Sequence, residues 1–245
     1  LSARNDKGVE ALKEFSLELH AGEIVGLAGV DGNGQKELCE VLTGLRPSSG
    51  GRILLDDQDI SGRDPAFYIE QHISHIPEDR HTTGLAMNWS LKNNLILKQL
   101  GREPVSRHHL VQKKVAEEIW DKAHSEYQIK AISGDDLARA LSGGNQQKVI
   151  LAREINSDPR VLIANQPTRG LDVGAAEYVR TKILEARNSG TSCLLVSADM
   201  EELLQLSDRI AVIYGGQLMG ILPRGADPMA IGRLMMGKRE QEVGA

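Results

Sequence analysis

The chain has 245 residues, 40% hydrophobic and 26% charged, the balance of a folded globular chain able to bury a sizeable core without disulfide staples. Its 29 basic and 34 acidic residues give a net charge of −5, which argues against duplex nucleic acid as a main partner, and no apolar run approaches the ~18 residues that would span a bilayer. Cys39 and Cys193 lie in apolar segments without metal-ligand spacing and read as reduced core thiols. The start at Leu1-Ser2-Ala3-Arg4 carries no initiator Met and no signal-like segment, so the chain reads as a piece of something longer.

In chain order, Val9 to Leu19 alternates loosely and predicts a strand or hairpin. Glu23 to Ala28 is a short apolar run bounded by glycines, the mark of a buried parallel strand. A glycine-rich loop, Gly29 to Gly34, follows, and then Leu38, Val41, Leu42 and Leu45 at helical spacing. Arg52 to Ile60 predicts a strand pair turning at Asp56-Asp57, and His72 to Ile76 a strand stopped by Pro77. From Thr83 to about Ala140 the short apolar strands give way to amphipathic stretches such as Val111 to His124, which predicts a helical insertion. One more helix opens at Leu141-Ser142-Gly143-Gly144 and runs to about Asn156. Beyond it come a buried strand (Arg160–Ala164), a helix (Val173–Arg187), a buried strand (Ser192–Ser197), a short helix (Asp199–Leu206), a hairpin (Arg209–Tyr214 with Gln217–Leu222) and a polar tail with an accessory helix. The alternation predicts an α/β fold: a parallel sheet flanked by helices, carrying a helical subdomain.

Strand, glycine loop, helix is the order a phosphate site requires. Gly29-Val30-Asp31-Gly32-Asn33-Gly34-Gln35-Lys36 lies on the G-x-x-x-x-G-K-[ST] frame, in which glycines turn backbone N–H groups around an anion at a helix N-terminus. The two decisive positions differ. Gln35 stands where lysine should reach the phosphates, and Lys36 where a hydroxyl should hold Mg²⁺. By itself this stretch is equally consistent with a plain strand–helix turn.

A second string carries the identification. Leu141-Ser142-Gly143-Gly144-Asn145-Gln146-Gln147-Lys148 closely resembles the signature motif of ABC-type ATPases. A serine hydroxyl and two glycine amides opening a helix make an anion socket, and the resemblance implies that it closes in trans over the terminal phosphate of nucleotide held by a partner domain. The resemblance extends from about Val9 to Leu222. Ile76 to Arg80 is similar to the family's Q-loop region, with Glu78 at or near the usual glutamine. Asn165 to Ala175 resembles D-E-P-T-R-G-(L/V)-D-V-G-A, and Leu195 to Asp199 the switch region. The match is to the second ATP-binding half of tandem importers of simple sugars or nucleosides.

What the resemblance implies is an ABC nucleotide-binding domain with a RecA-like parallel-sheet core (about 1–80 and 150–222), an N-terminal antiparallel β portion, a helical subdomain (about 81–149) and a tail (223–245). The implied cofactor is ATP, with Mg²⁺ at the composite site containing the partner's loop. The implied partners are a second ABC ATPase domain, the N-terminal half of the same polypeptide, and permease subunits at the cytoplasmic face of the inner membrane. Transported solute specificity resides elsewhere.

The departures fall on the chemistry. Asn165 replaces the aspartate that orients Mg²⁺ and Gln166 the glutamate that polarises water; Ala198 takes the place of the switch histidine, and no aromatic for stacking on adenine stands near Asp6-Lys7-Gly8. A neutral amide cannot act as a general base. With Gln35 and Lys36 these changes read as one pattern, an impaired site in this half beside an intact signature. Two readings of Lys36 stay open: an ammonium partly replacing the metal, or a side chain pointing to solvent. Asp172, on the D-loop facing the other half in this family, is either a coupling residue or an ordinary helix cap. Leu85, Met87 and Trp89 are either permease docking or core. His72, His75, His81 and the pair His108-His109 lack carboxylate company and read as solvated or core histidines, so no metal site of this chain's own is expected. The rival function is a nucleotide-binding domain that is regulatory or structural and never supports turnover.

Overall fold

A computed structural model of the chain describes residues 1–108 and 110–238; His109 and residues 239–245, the end of the expected tail, lie outside the described residues. In chain order the elements are strands β1 (Ala3–Arg4), β2 (Glu10–Leu12) and β3 (Ile24–Ala28), helix α1 (Gln35–Leu42), strands β4 (Leu54–Leu55) and β5 (Gln58–Asp59), helix α2 (Pro65–Glu70), strand β6 (Ile73–Ile76) and helix α3 (Leu91–Ile96). Strands β7 (Ser106–Arg107) and β8 (Leu110–Val111), helices α4 (Lys113–Glu126) and α5 (Gly143–Ile155), strand β9 (Val161–Asn165) and helix α6 (Val173–Asn188) follow. The chain continues through strand β10 (Ser192–Val196), helix α7 (Met200–Leu206), strands β11 (Arg209–Tyr214) and β12 (Gln217–Pro223), and helix α8 (Pro228–Met235). They separate into two compact units, one formed by Leu1–His75, Arg160–Gln166 and the chain from Leu184 onward, the other by Ile76–Pro159 and Pro167–Ile183.

The first unit is built on a sheet with strand order β12-β11-β3-β10-β9-β6. All five residues of β3 and of β10 are buried, which is why, Ser192 aside, their sequences are apolar runs without alternation. The pairs β3–β10, β9–β10 and β3–β11 are parallel, and β11–β12 is an antiparallel hairpin, so the sheet is mixed. The apolar side of α1 (Leu38, Cys39, Val41) packs into a core with Leu27, Ile163, Leu194 and Ile213. Burial pushes the thiols of Cys39 and Cys193 up to about 12, so both stay protonated and inert. The N-terminal antiparallel portion comprises the pair β1–β2 and the small hairpin β4–β5, turned by Asp56 and Asp57 at positive φ. Helix α2 had no counterpart in the expected elements, although its start is written in the sequence: Asp64 accepts the Phe67 N–H and Pro65 sits at the first helical position.

In the second unit α3 packs against α4 and α5. The Asn94 side chain, fully buried, accepts the Ala86 N–H at 2.9 Å and donates to the Ala86 carbonyl at 3.0 Å and the Ser90 carbonyl at 3.1 Å, bracing the turn before α3. Glu154, 0% exposed, is paired with Lys98 and Arg153, and Arg153 donates to the Gly84 carbonyl at 2.8 Å. Burial alone would raise the Glu154 carboxyl; the Lys98 ammonium and then the Arg153 guanidinium outweigh it and hold the pKa below the ordinary value. Besides its helices this stretch holds the hairpin β7–β8, whose strands of two residues each are too short to show a period in the sequence.

Candidate functional site

In the first unit the glycine loop leaves the end of β3 and opens α1, while Asn165-Gln166 and Ala198 leave the ends of the neighbouring strands β9 and β10, where Val196 stands opposite Asn165. The carboxyl ends of adjacent parallel strands are where an α/β sheet collects ligand-binding groups. The structure therefore brings Gly29, Gly32, Gly34, Gln35, Asn165, Gln166 and Ala198 to the carboxyl end of one sheet, with Lys36 next in the first turn of α1.

Backbone demands fix the loop. Gly34 caps α1 at φ 107°, and a Cβ there would come within 2.5 Å of the Ala11 carbonyl oxygen. A Cβ on Gly29 would stand 2.6 Å from the Gln35 amide nitrogen, because that side chain folds back into the loop and donates to the Val30 carbonyl at 3.0 Å. Asn33 donates to the same carbonyl at 2.8 Å and accepts the Gly215 N–H at 2.7 Å, tying the loop to the β11–β12 turn. Lys36 goes elsewhere: its ammonium stands 3.6 Å from Asp6 and 3.8 Å from Glu40, with more than half of the side chain exposed. Arg46 and then Lys36 hold the Asp6 carboxyl below the usual carboxylate range. Lys36 thus lies in a surface ion cluster with Asp6 and Glu40.

Asn165 is 5% exposed at the end of β9. Gln166 adopts φ 49°, donates its backbone N–H to the Val196 carbonyl at 2.8 Å and accepts the Ala198 N–H on its side-chain oxygen at 3.1 Å. Beyond Ala198, the Ser197 hydroxyl donates to Glu202 at 2.6 Å and Asp199 caps α7.

These groups fit an anion at the N-terminus of α1. They do not fit a divalent cation. The positions that should supply carboxylate and imidazole are two amides and an alanine, and among the described residues no group of three His, Cys, Asp or Glu could hold a metal. His81 lies 3.1 Å from the Gln146 amide oxygen.

The second unit carries the other candidates. Ser142 is the exposed N-cap residue of α5, and its hydroxyl accepts a hydrogen bond from the Asn145 amide at 2.9 Å, while the Asn145 oxygen accepts the Lys130 N–H at 2.8 Å. That arrangement leaves the Ser142 proton free to point outward. A Cβ on Gly144 would stand 3.2 Å from the Ala175 methyl, tighter than an ordinary contact. Gly143 is roomier: its φ is ordinary and the nearest atom to an added Cβ is the Arg80 guanidinium at 3.7 Å. A bare residue at the mouth of a helix leaves backbone open to a ligand. Leu141 is half-buried behind it.

Glu78 is ion-paired with Arg169, and Arg80 donates to the Arg169 carbonyl at 2.8 Å. Sequence reading singles out neither arginine, because the pairing joins segments 89 positions apart. Asp172 accepts the Ala175 N–H at 2.8 Å and so caps α6. Leu85 is core at 5% exposure, whereas Trp89 is 46% exposed.

A family model described as ABC transporter matches residues 12–169. The chain is 43% identical, over all of its length and 48% of the relative's, to the guanosine import ATP-binding protein NupO of Bacillus subtilis. It is 40% identical to the nucleoside import ATP-binding protein NupA of Lactococcus lactis (97% of this chain, 47% of the relative) and 37% identical to the ribose import ATP-binding protein RbsA of Lacticaseibacillus paracasei (95% and 46%). It thus spans about half the length of the curated relatives it matches. Among solved structures it resembles a nucleotide-free ATP-binding cassette from an ABC transporter (TM-score 0.78, 20% identity, 100% of this chain and 97% of that one) and a dimeric bacterial ABC transporter cassette (TM-score 0.78, 18% identity, 93% and 97%). At such identities these two likenesses speak for the fold alone.

Proposed function

This chain belongs to the ABC transporter family, and from that premise we propose that it is the second ATP-binding half of a tandem ATPase that energises import of nucleosides or simple sugars. Its half-length match to relatives named as nucleoside and ribose import ATP-binding proteins supports the tandem arrangement and the solute class. Relatives at 43%, 42% and 40% identity carry guanosine, glucose and nucleoside import in their names, so the solute class is nucleosides or simple sugars. The partners are the first half of the same polypeptide and a membrane-embedded permease, which holds the pair at the cytoplasmic face. Among the described residues no helix is long and apolar enough to cross a membrane.

In an antiparallel pair of halves, two composite sites form. One joins this chain's glycine loop to the partner's signature. There Gln35, Asn165, Gln166 and Ala198 supply neither a cation for the phosphates nor a base for water, so nucleotide binds weakly and is not hydrolysed. The other joins the partner's loop to Ser142, Gly143, Gly144 and Asn145. The outward serine hydroxyl, the first amides of α5 and the positive end of that helix together receive the negative charge that develops on the terminal phosphate. The room at Gly143, where an added Cβ would meet nothing nearer than the Arg80 guanidinium at 3.7 Å, is the observation that carries this reading. Asp172, already fixed as the cap of α6, links the two sites through the same interface.

The test is to trap labelled nucleotide on the full-length protein with vanadate and locate it by photolabelling. A single trapped diphosphate per chain, labelled on the first half, supports the reading; equal trapping on both halves refutes it.

A further inference from the structure

Three charged residues precede the turn that leads into α3, and their partners differ. Asp79 is consumed locally: it accepts the His81 and Thr82 N–H groups at 2.8 and 3.2 Å and the Thr82 hydroxyl at 2.7 Å. Glu78 is consumed by Arg169. Arg80 is left with only a carbonyl, the 2.8 Å bond from one guanidinium nitrogen to Arg169, and among the described residues no carboxylate lies within ion-pair distance of it. Its other terminal nitrogen stands 3.7 Å from where a Cβ on Gly143 would be and 3.6 Å from where one on Gly170 would be. A guanidinium without a counter-charge is thus set beside the N-terminus of α5, where the helix dipole opposes a cation and favours an anion. Two glycines flank it, and Arg80 itself is half-buried.

We propose that Arg80 is a phosphate-binding residue of the signature socket, selecting a nucleoside triphosphate over a diphosphate at the composite site formed with the partner's loop. The inference rests on the trans role given above to Ser142 and Gly143. An incoming terminal phosphate supplies the missing counter-charge and removes the conflict with the helix dipole at once. The planar fork of arginine suits phosphate oxygens better than an ammonium does, and the bond to the Arg169 carbonyl holds the fork in place. A diphosphate lacks the group that would reach it.

The test compares Arg80→Gln and Arg80→Lys in the full-length protein, with Gly143→Asp as a control on the socket itself. For Arg80→Gln the KM for ATP should rise about tenfold, the size of one charge-assisted hydrogen bond, with kcat little changed and competitive inhibition by ADP unaltered. Arg80→Lys should recover most of that loss. If both variants lower kcat alike with KM and ADP inhibition unmoved, Arg80 is merely structural and the inference falls; unchanged kinetics in Arg80→Gln overturn it equally. Should Arg80→Gln fold poorly, the KM of Arg80→Lys at rising salt decides: a screened phosphate contact weakens steadily, and a salt-independent KM overturns the proposal. Full turnover in Gly143→Asp would instead remove the socket reading, whereas loss of turnover there with a silent Arg80→Gln would remove only the role of Arg80.

Discussion

The side-chain oxygen of Gln166 accepts the backbone N–H of Ala198 at 3.1 Å, closing a bridge between the ends of β9 and β10. Both residues occupy positions where the family resemblance calls for working groups, a carboxylate and an imidazole. Here they satisfy one another instead. The amide also sits at φ 49°, a conformation few non-glycine residues adopt, so its direction is set by the backbone as well as by the bond.

Restoring one group should therefore not restore chemistry. A positioned base is worth ~10²–10⁴ in rate, but only beside a phosphate grip and a metal site, and Gln35 and Asn165 would still lack both. In full-length protein carrying Gly143→Asp to silence the other composite site, Gln166→Glu should leave phosphate release at background. Appreciable release would mean that the remaining substitutions are tolerated.

The glycines divide by what they serve. Gly34→Ala forces a Cβ to within 2.5 Å of a carbonyl oxygen at φ 107°, and should destabilise the fold by ~2–3 kcal/mol. Gly143→Ala meets nothing nearer than 3.7 Å in the first turn of α5 and should leave stability within ~1 kcal/mol. Thermal unfolding of the two variants reads the difference; equal losses would place Gly143 among the structural glycines.

The buried Glu154 gives the second unit an acid limit. Its pKa is held below the ordinary value, chiefly by Lys98 and Arg153 against the opposing effect of burial. A depressed carboxyl contributes stability that is complete above its unfolded pKa, near ~4, and is lost as pH falls through the folded value. Glu154→Gln should cost ~3 kcal/mol at neutral pH by leaving two cations without their buried partner, and should flatten the acid limb of the stability curve. Urea titrations between pH 7 and the acid range follow both effects; a variant with an unchanged acid limb would assign that limb to other carboxylates.

Nucleotide binding at this chain's own loop should depend little on metal. With amides at 165 and 166 and Lys36 drawn to Asp6 and Glu40, no group fixes a divalent cation beside the phosphates, so affinity with Mg²⁺ and with EDTA should agree within ~3-fold. Calorimetry on the chain measures it. A large metal-dependent gain would show that the loop still assembles a cation site.

Much of the fold was legible because its signals are local. The runs at β3, β9 and β10 are apolar but for Ser192 at the start of β10 and Asn165 at the end of β9, since both faces of a central parallel strand are covered, and the glycine loop announces the turn between β3 and α1. The strands β1, β7 and β8, two residues each, hold no period to read. Of the site, residue types were legible and directions were not. That Gln166 lacks a carboxylate is plain in the sequence; that its amide turns to Ala198 depends on the pairing of β9 with β10. The surface position of Lys36 depends on Asp6 far upstream, and the isolation of Arg80 depends on Asp79 and Glu78 being taken by Thr82 and Arg169.

The central claim is asymmetry: this half lends its signature and does not hydrolyse. It is tested most directly by steady-state ATP hydrolysis in the full-length protein with Gly143→Asp and, separately, Gln35→Ala. An aspartate at 143 sets negative charge against the terminal phosphate and should lower turnover by ~10²-fold or more, whereas the change at 35 should stay within ~2-fold. Comparable losses from both substitutions would contradict the account.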